Sequence, residues 1–404
     1  MFKIESDILT KAVSFVSGIV SKSQASVSPV LQNVKFTFDE SGLKLETTNT
    51  DISCVYTIDQ SAIETKSKSF STTVPALKLN DILKKLGNEK LSCKFLKTSD
   101  KEVFVIKTGK FKSLLDCLPS NIYPSSRNLE YTNTFNIKAS NILNAINRVK
   151  FSVCTDEARF YINGILLDMA GKNTNNENSI NIVSTDSHRL SIQSINFSQN
   201  CEIPQIIIPR RSIQKIVDLL LIAKDEDVAV NINKTKIKIS FGGCSVSSNL
   251  IEGEFPQYQR VIPQNPTGYA IVSKTELLKA INTVSAMFSG TAYNVVKLTF
   301  IENNLTVEAS RSTKNLGSDI GIGKYIISCE SSFNEPFVIS YNYSYINDCL
   351  NAFSSPKCKI NFTEASKPCL ITPIYESIDE DKKDENEQKD ENTDYKFVIM
   401  PIRL

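Results

Sequence analysis

The chain has no tryptophan, a single histidine (His188) and four methionines among 404 residues. One imidazole excludes metal sites built on several histidines and any chemistry that needs two of them. Ten cysteines are present, yet none forms a Cys-x-x-Cys pair, and the two nearest in sequence are Cys349 and Cys358. That spacing argues against a zinc ribbon, a thioredoxin-type motif or a disulfide scaffold, and predicts reduced, mostly buried thiols. No apolar run approaches the roughly 18 residues of a membrane helix. The opening Met1-Phe2-Lys3-Ile4-Glu5-Ser6-Asp7 is acidic and lacks the apolar stretch of a secretory leader, so a cytoplasmic location is expected. Gly321-Ile322-Gly323-Lys324 lacks the spacing of a phosphate-binding loop and reads as a turn. Neither a cofactor nor a metal is expected.

Arginine is also scarce, with 9 residues against 37 lysines. This disfavours base-specific DNA readout, in which bidentate arginine on guanine dominates. The formal charge of +2 hides an asymmetry: residues 376–394 hold ten Asp or Glu against three Lys, which leaves +9 for the rest. A moderately basic body with an acidic excursion suits a protein working beside nucleic acid. The acidic stretch has one aliphatic residue, Ile378, and no periodicity, so a solvated, mobile loop is expected there.

What the chain does have is repetition. Phe2-Lys3-Ile4 precedes Leu9, Ala12, Val13 and Val16; Phe135-Asn136-Ile137 precedes Ile142, Ala145, Ile146 and Val149; Tyr269-Ala270-Ile271 precedes Leu277, Ala280, Ile281 and Val284. Each reads as a short strand followed by an amphipathic helix with one buried stripe. A second pattern counts from Pro75, Pro209 and Asn342, with apolar residues at offsets 4, 7, 8 and 11 in all three. Proline there suits a first helical turn. Thr50-Asp51 recurs as Thr185-Asp186, and the repeat distances all fall between 133 and 135 residues. Alternating runs such as Val34–Phe38, Val103–Lys107, Val228–Asn233 and Leu305–Ala309 read as strands.

The expected fold class is therefore α+β: three similar domains over 1–132, 133–267 and 268–404, each of two α-helices packed on two antiparallel sheets. Six such half-domains invite ring closure. Two chains would set twelve helices of about 10 Å width side by side, with a lumen of roughly 25–30 Å, wide enough for a nucleic-acid duplex.

Four runs carry a resemblance beyond the repeat: Thr185-Asp186-Ser187-His188-Arg189-Leu190, Arg159-Phe160-Tyr161-Ile162-Asn163-Gly164, Phe255-Pro256-Gln257-Tyr258-Gln259-Arg260-Val261-Ile262-Pro263, and Val398-Ile399-Met400-Pro401-Ile402-Arg403-Leu404. Together they resemble the bacterial DNA polymerase III beta subunit family, the sliding clamps, across the whole chain. The resemblance implies the DNA clamp fold and a non-catalytic processivity factor. It implies a head-to-tail homodimeric ring that encircles duplex DNA without reading its sequence. The implied partners are the DNA polymerase III alpha subunit, the clamp loader, and other polymerases and repair proteins carrying short peptide motifs; no membrane is involved.

By motif, the partner-peptide pocket between the second and third domains would be lined by Ile162, Thr185, Ser187, His188, Arg189 and Leu190, by Pro256, Arg260 and Val261, and by Val398, Ile399, Met400, Pro401, Ile402 and Arg403, with Asn342 and Tyr345 at its rim. Aliphatics and a pliable methionine accept leucine or phenylalanine anchors, while Arg and His hold peptide backbone. Lys22, Lys78, Lys84, Arg148, Lys150, Arg210, Arg211, Lys215 and Lys279 are expected to face DNA. Leu115, Met287 and Phe288 are expected at the dimer interface. Ser187 stands where the family usually has glycine, and Leu77 where it has arginine; Lys22-Ser23-Gln24 replaces another familiar arginine. Two other readings stay open on the residues alone: a scaffold that binds only proteins, and a hydrolase using Cys or Ser with His188.

Overall fold

The structure, a computed structural model, describes residues 1–20, 28–65, 69–97, 101–109, 111–124, 130–172, 178–197, 204–288, 294–312, 319–375 and 394–403. Lys22 and the acidic stretch up to residue 393 lie outside the described residues.

The first third runs β1 (Phe2–Glu5), α1 (Ser6–Ser17), β2 (Asn33–Asp39), β3 (Gly42–Thr48), β4 (Ile52–Ile58), β5 (Glu64–Thr65), β6 (Phe70–Pro75), α2 (Ala76–Leu83), β7 (Lys90–Lys97), β8 (Glu102–Thr108) and β9 (Phe111–Cys117). The second runs β10 (Asn133–Lys138), α3 (Ala139–Val149), β11 (Gly164–Lys172), β12 (Asn178–Thr185), β13 (Arg189–Phe197), β14 (Ile206–Pro209), α4 (Arg210–Ala223), β15 (Asp227–Ile232), β16 (Lys236–Phe241) and β17 (Cys244–Asn249). The last runs β18 (Gly268–Ser273), α5 (Lys274–Ser285), β19 (Val295–Ile301), β20 (Asn304–Ser312), β21 (Asp319–Ser331), β22 (Phe337–Asn342), α6 (Tyr343–Asn351), β23 (Lys357–Phe362), β24 (Cys369–Ile374) and β25 (Tyr395–Ile399). Each third thus holds two α-helices and eight or nine strands among the described residues, as the repeat predicts.

The helices form where the apolar stripe demands. Leu9, Ala12, Val13 and Val16 of α1 are fully buried, as are Leu277, Ala280 and Ile281 of α5. Truncating any of the larger of these would cost about 2–5 kcal/mol, because the cavity could close only in part. Pro75 and Pro209 end the preceding strands, so each sits just outside its helix rather than in the first turn. Asn342 does more there than proline could: its side chain accepts from Ser344 N at 3.0 Å and caps α6.

Two compact units emerge. In one, residues up to Leu143 join Arg211–Leu250. It holds a sheet of order β5-β1-β7-β8-β9 and another of order β10-β15-β16-β17-β4-β3-β2-β6. Without tryptophan, bulk comes from phenylalanine: the rings of Phe2, Phe36, Phe70, Phe95 and Phe104 lie with neighbouring centroids 4.7–6.5 Å apart. The other unit takes Asn144 to Phe197, Pro204–Arg210 and Ile251 onward among the described residues. Its single sheet has the order β14-β11-β12-β13-β25-β24-β23-β18-β21-β20-β19-β22. Phe300, Phe333, Phe337 and Phe362 repeat the phenylalanine cluster there. Gly321-Ile322-Gly323-Lys324, expected as a turn, is part of β21, with Gly323 opposite Ala309 and Lys324 opposite Glu308.

The hydrogen bonds correct one repeat marker. Thr48 Oγ1 accepts from Thr50 N and donates to Ile52 O, while Asn49 Oδ1 accepts from Ile52 N at 2.8 Å. Thr185 Oγ1 accepts from Ser187 N and donates to Arg189 O, while Asp186 Oδ1 accepts from Arg189 N at 3.0 Å. Thr50 and Ser187 share a left-handed φ of 77°. The structural equivalent of Thr185-Asp186 is therefore Thr48-Asn49, two residues before the Thr50-Asp51 that the sequence offers. Thr47 and Ser184 confirm the frame, donating their hydroxyls to Val16 O and Val149 O at the ends of α1 and α3.

Candidate functional site

The turn between β12 and β13 builds the site from its backbone outward. Asp186 is consumed by the turn itself: Oδ1 accepts from the backbone N–H of His188 and Arg189, and Oδ2 accepts from Arg189 Nε at 3.0 Å. The hydrogen bond Asp186 makes to His188 runs through the His188 backbone N–H, as part of the turn. Arg189 is equally committed. It donates to Asp348 Oδ2 of α6 and to Phe151 O, both at 2.6 Å. Its guanidinium lies 4.3 Å from the Tyr345 ring centroid and 5.3 Å from that of Phe151. Two carboxylates, a carbonyl and two aromatic faces therefore hold one largely buried cation. Arg189, expected to line the pocket, ties the turn to α6.

His188 stacks on the same Tyr345 ring, with centroids 6.4 Å apart. Burial, followed by the Asp186 carboxylate, pushes the Tyr345 phenol above its ordinary range, so it stays a neutral hydrogen-bond donor. The tail is threaded against this turn. β25 pairs with β13, Ile399 opposite Arg189 and Val398 opposite Leu190. Met400 N then donates to His188 O at 2.9 Å, and Ile402 N to Ser340 O at 2.8 Å. Asn342 and Tyr345 sit where β22 turns into α6, so the rim and the tail share one neighbourhood.

A buried cluster supports the floor: Ile162, Leu166, Leu190, Ile192, Val398, Phe255 and Tyr258 pack together, with Ile262 and Leu370 at its margin. Above it the predicted lining is exposed. Ser187, His188, Pro256, Arg260, Val261, Met400, Ile402 and Arg403 all face solvent, while Thr185 and Pro401 are partly covered. Exposed Val261, Met400 and Ile402 over a buried aliphatic floor are what an apolar peptide needs, and their burial would be the driving force. Arg159, not among the predicted lining residues, stands at the edge: it donates to Asp156 Oδ2, Asp186 O and Ser187 Oγ at 3.2–3.3 Å.

The charged and interface expectations divide. Lys78, Lys84, Lys150, Arg210, Arg211 and Lys279 are exposed. Arg148 and Lys215 are not, with 7% and 8% of their surface accessible. Arg148 donates to Gln193 Oε1 at 3.0 Å, and Lys215 donates to Asp218 Oδ2 and Phe15 O. Buried cations need such partners, so these two are corrected from DNA-facing to structural. Leu115 is likewise turned inward, 7% exposed, and its neighbour Leu114 is the open one. Met287 packs against the last domain's core beside Gly323, and the Phe288 side chain lies outside the described residues.

The repeated two-helix modules and the continuous antiparallel sheets define the clamp fold. The chain matches the DNA polymerase III beta subunit in three successive stretches: the N-terminal domain over 1–129, the central domain over 136–257 and the C-terminal domain over 259–383. It belongs to that family, the sliding clamps, whose members are non-catalytic processivity factors of DNA replication. It is 26% identical to the beta sliding clamps of Pseudomonas putida and Haemophilus influenzae over 404 residues, covering 100% of each chain. Among solved structures it is similar to a sliding clamp from Bartonella birtlesii bound to griselimycin, at 25% identity and a TM-score of 0.83, with 100% of both chains covered. A Caulobacter crescentus clamp shares the fold at a TM-score of 0.85 and 23% identity, over 100% of this chain and 98% of that one.

Proposed function

We propose that two copies of this chain close head to tail into a ring around duplex DNA, with domains 1–132, 133–267 and 268–404. The tail site on each copy then docks short apolar peptides of the polymerase III alpha subunit, the clamp loader, and other polymerases and repair proteins in the cytoplasm. The observation that carries the ring is a repeated strand junction. β17 lies along β4 with Val246 opposite Cys54, and β25 lies along β13 with Phe397 opposite Ser191. β9 and β21 occupy the corresponding places in the first and last repeats. Val246, Phe397 and Ser113 face Ile239, Ile371 and Ile106 within their own hairpins; Cys54, Ser191 and Gly323 face Thr47, Ser184 and Ala309.

The same register between copies sets Ser113 opposite Gly323 and Leu114 opposite Ile322. In the single chain those two aliphatics are 57% and 65% exposed, so pairing removes both from water. β9 ends its sheet, and β21 pairs with β20 along Asp319–Ser328 but with β18 only through Cys329–Ser331. Met287 backs the junction: a Cβ on Gly323 would lie 2.9 Å from its Cγ. Lys112 falls opposite Lys324, whose charge Glu308 partly offsets at 3.9 Å.

Exposed Lys78, Lys84, Lys150, Arg210, Arg211 and Lys279 supply sequence-independent attraction to phosphate, and topological enclosure supplies retention. The test is retention on DNA. Rings should persist on closed circular DNA and slide off linear DNA; equal retention on both would overturn the reading. Deleting residues 400–404 should abolish binding of griselimycin and of leucine–phenylalanine peptides while leaving the two-chain mass unchanged.

A further inference from the structure

We propose that Tyr258 is a positioning residue of the peptide site: its hydroxyl, anchored on a polar ladder across three strands, fixes the segment 255–262 that forms one wall. The inference rests on the peptide-docking reading above. Segment 255–262 is not a strand. Its backbone bonds at Arg260 N to Gln257 O and Ile262 N to Gln259 O are local, and cannot set its height above the sheet. The Tyr258 ring enters the buried cluster with Ile162, Leu190 and Val398, and only 5% of the residue is exposed.

The ladder lies where the hydroxyl arrives. Asp168 of β11 is opposite Asn181 of β12, which is opposite Ser194 of β13, so the three side chains share one sheet face. Tyr258 Oη donates to Asp168 Oδ2 at 2.8 Å and accepts from Asn181 Nδ2 at 3.0 Å. Asn181 Oδ1 accepts from Ser194 Oγ at 2.7 Å, and Gln205 and Gln259 donate to the Asp168 carboxylate at 3.3 and 3.4 Å. Burial, the largest cause, raises the Tyr258 phenol to about 12, so it keeps its proton as a donor across the working pH range. The ring supplies the floor, and the hydroxyl holds Pro256, Arg260 and Val261 at a set distance from it. A phenylalanine would fill the same space without that anchor.

The probe is a fluorescent peptide with adjacent leucine and phenylalanine, read by anisotropy on the full-length dimer. Tyr258→Phe should weaken binding about three- to tenfold, mainly through faster dissociation. Amide exchange should accelerate at 255–262 and not in β11, β12 or β13. Asp168→Asn keeps an acceptor for the phenol and should retain most of the affinity. Asp168→Leu should match Tyr258→Phe, and combining the two should add little. If the wild-type protein does not bind the peptide, the docking reading falls and this proposal with it. If it binds, and Tyr258→Phe leaves both affinity and local exchange unchanged, the latch alone is wrong. Loss of protection throughout the unit would also overturn it, because that marks general destabilisation rather than positioning.

Discussion

At residues 48–52 and 185–189 the chain makes one turn twice and sets different side chains on it. Both copies use a threonine hydroxyl, an Asn or Asp side-chain oxygen and a left-handed third residue. Both receive the next strand in the same way: Asn249 N donates to Asp51 O, and Met400 N to His188 O. Where the first turn continues into buried Ile52, the second continues into Arg189 with its two carboxylates. Where the first carries Asp51, the second carries His188 stacked on Tyr345. The repeat therefore supplies a common frame, and the proposed docking site rests on a few side chains placed on one copy of it.

Raising the pH should destabilise both units at once, and is the largest effect expected. Burial raises Cys93, Cys54, Cys358 and Cys369 from 9.0 to about 12, and Cys117, Cys244 and Cys329 to about 11. A folded-state value above the unfolded one means that the stabilisation is complete below about pH 9 and is lost as pH climbs through the folded values. Each thiol ionised only in the unfolded chain removes about 1.4 kcal/mol per pH unit. Chemical denaturation midpoints between pH 8 and 11 should therefore fall steeply in both units; a flat profile would contradict the buried thiols.

Single substitutions separate the turns. Arg189→Ala leaves Asp186, Asp348 and the Phe151 carbonyl without their shared donor, and should cost about 2–4 kcal/mol and abolish peptide binding. Ile52→Ala should cost a similar amount, about 2–4 kcal/mol through its cavity, yet leave peptide affinity unchanged. Denaturant melts paired with anisotropy would distinguish them, and equal loss of peptide affinity would contradict the division of roles. The smallest effect concerns φ. Thr50→Gly should stabilise by about 1 kcal/mol, because a β-branched residue fits the left-handed region poorly. Ser187→Gly also loses the Arg159 hydrogen bond and should stay within about 0.5 kcal/mol of neutral. A larger gain at Ser187 would reverse the expected order.

Much of this was legible in the sequence, for physical reasons that also mark where legibility ends. Helical stripes such as Leu277, Ala280, Ile281 and Val284 announce themselves because burial enforces their period. The tail and the Thr-Asp-Ser-His-Arg-Leu run, singled out together in the sequence, lie side by side in the fold. The true turn frame was hidden because Thr48 and Thr50 are both threonine and because Asn and Asp make the same turn. Arg148 and Lys215 read as exposed because a helix pattern does not reveal partners brought in from elsewhere, such as Gln193 or Phe15. Leu115 was expected at the dimer interface; in the single chain it is buried, and strand alternation sets its neighbour Leu114 on the open face. Asp348 and Asp168 reach the site across 159 and 90 residues of chain, beyond any local pattern. One signal was available: Asp168 interrupts the apolar run Ile165-Leu166-Leu167 and Met169 on β11.

The register between copies is the most exposed claim, and cysteine cross-linking tests it. A chain carrying Leu114→Cys with Ile322→Cys should oxidise to a species of twice 45.0 kDa, joined at both junctions and retained on circular DNA. A protein that stays at 45.0 kDa in solution, or that cross-links only from a shifted pair such as Leu114→Cys with Lys324→Cys, would contradict it.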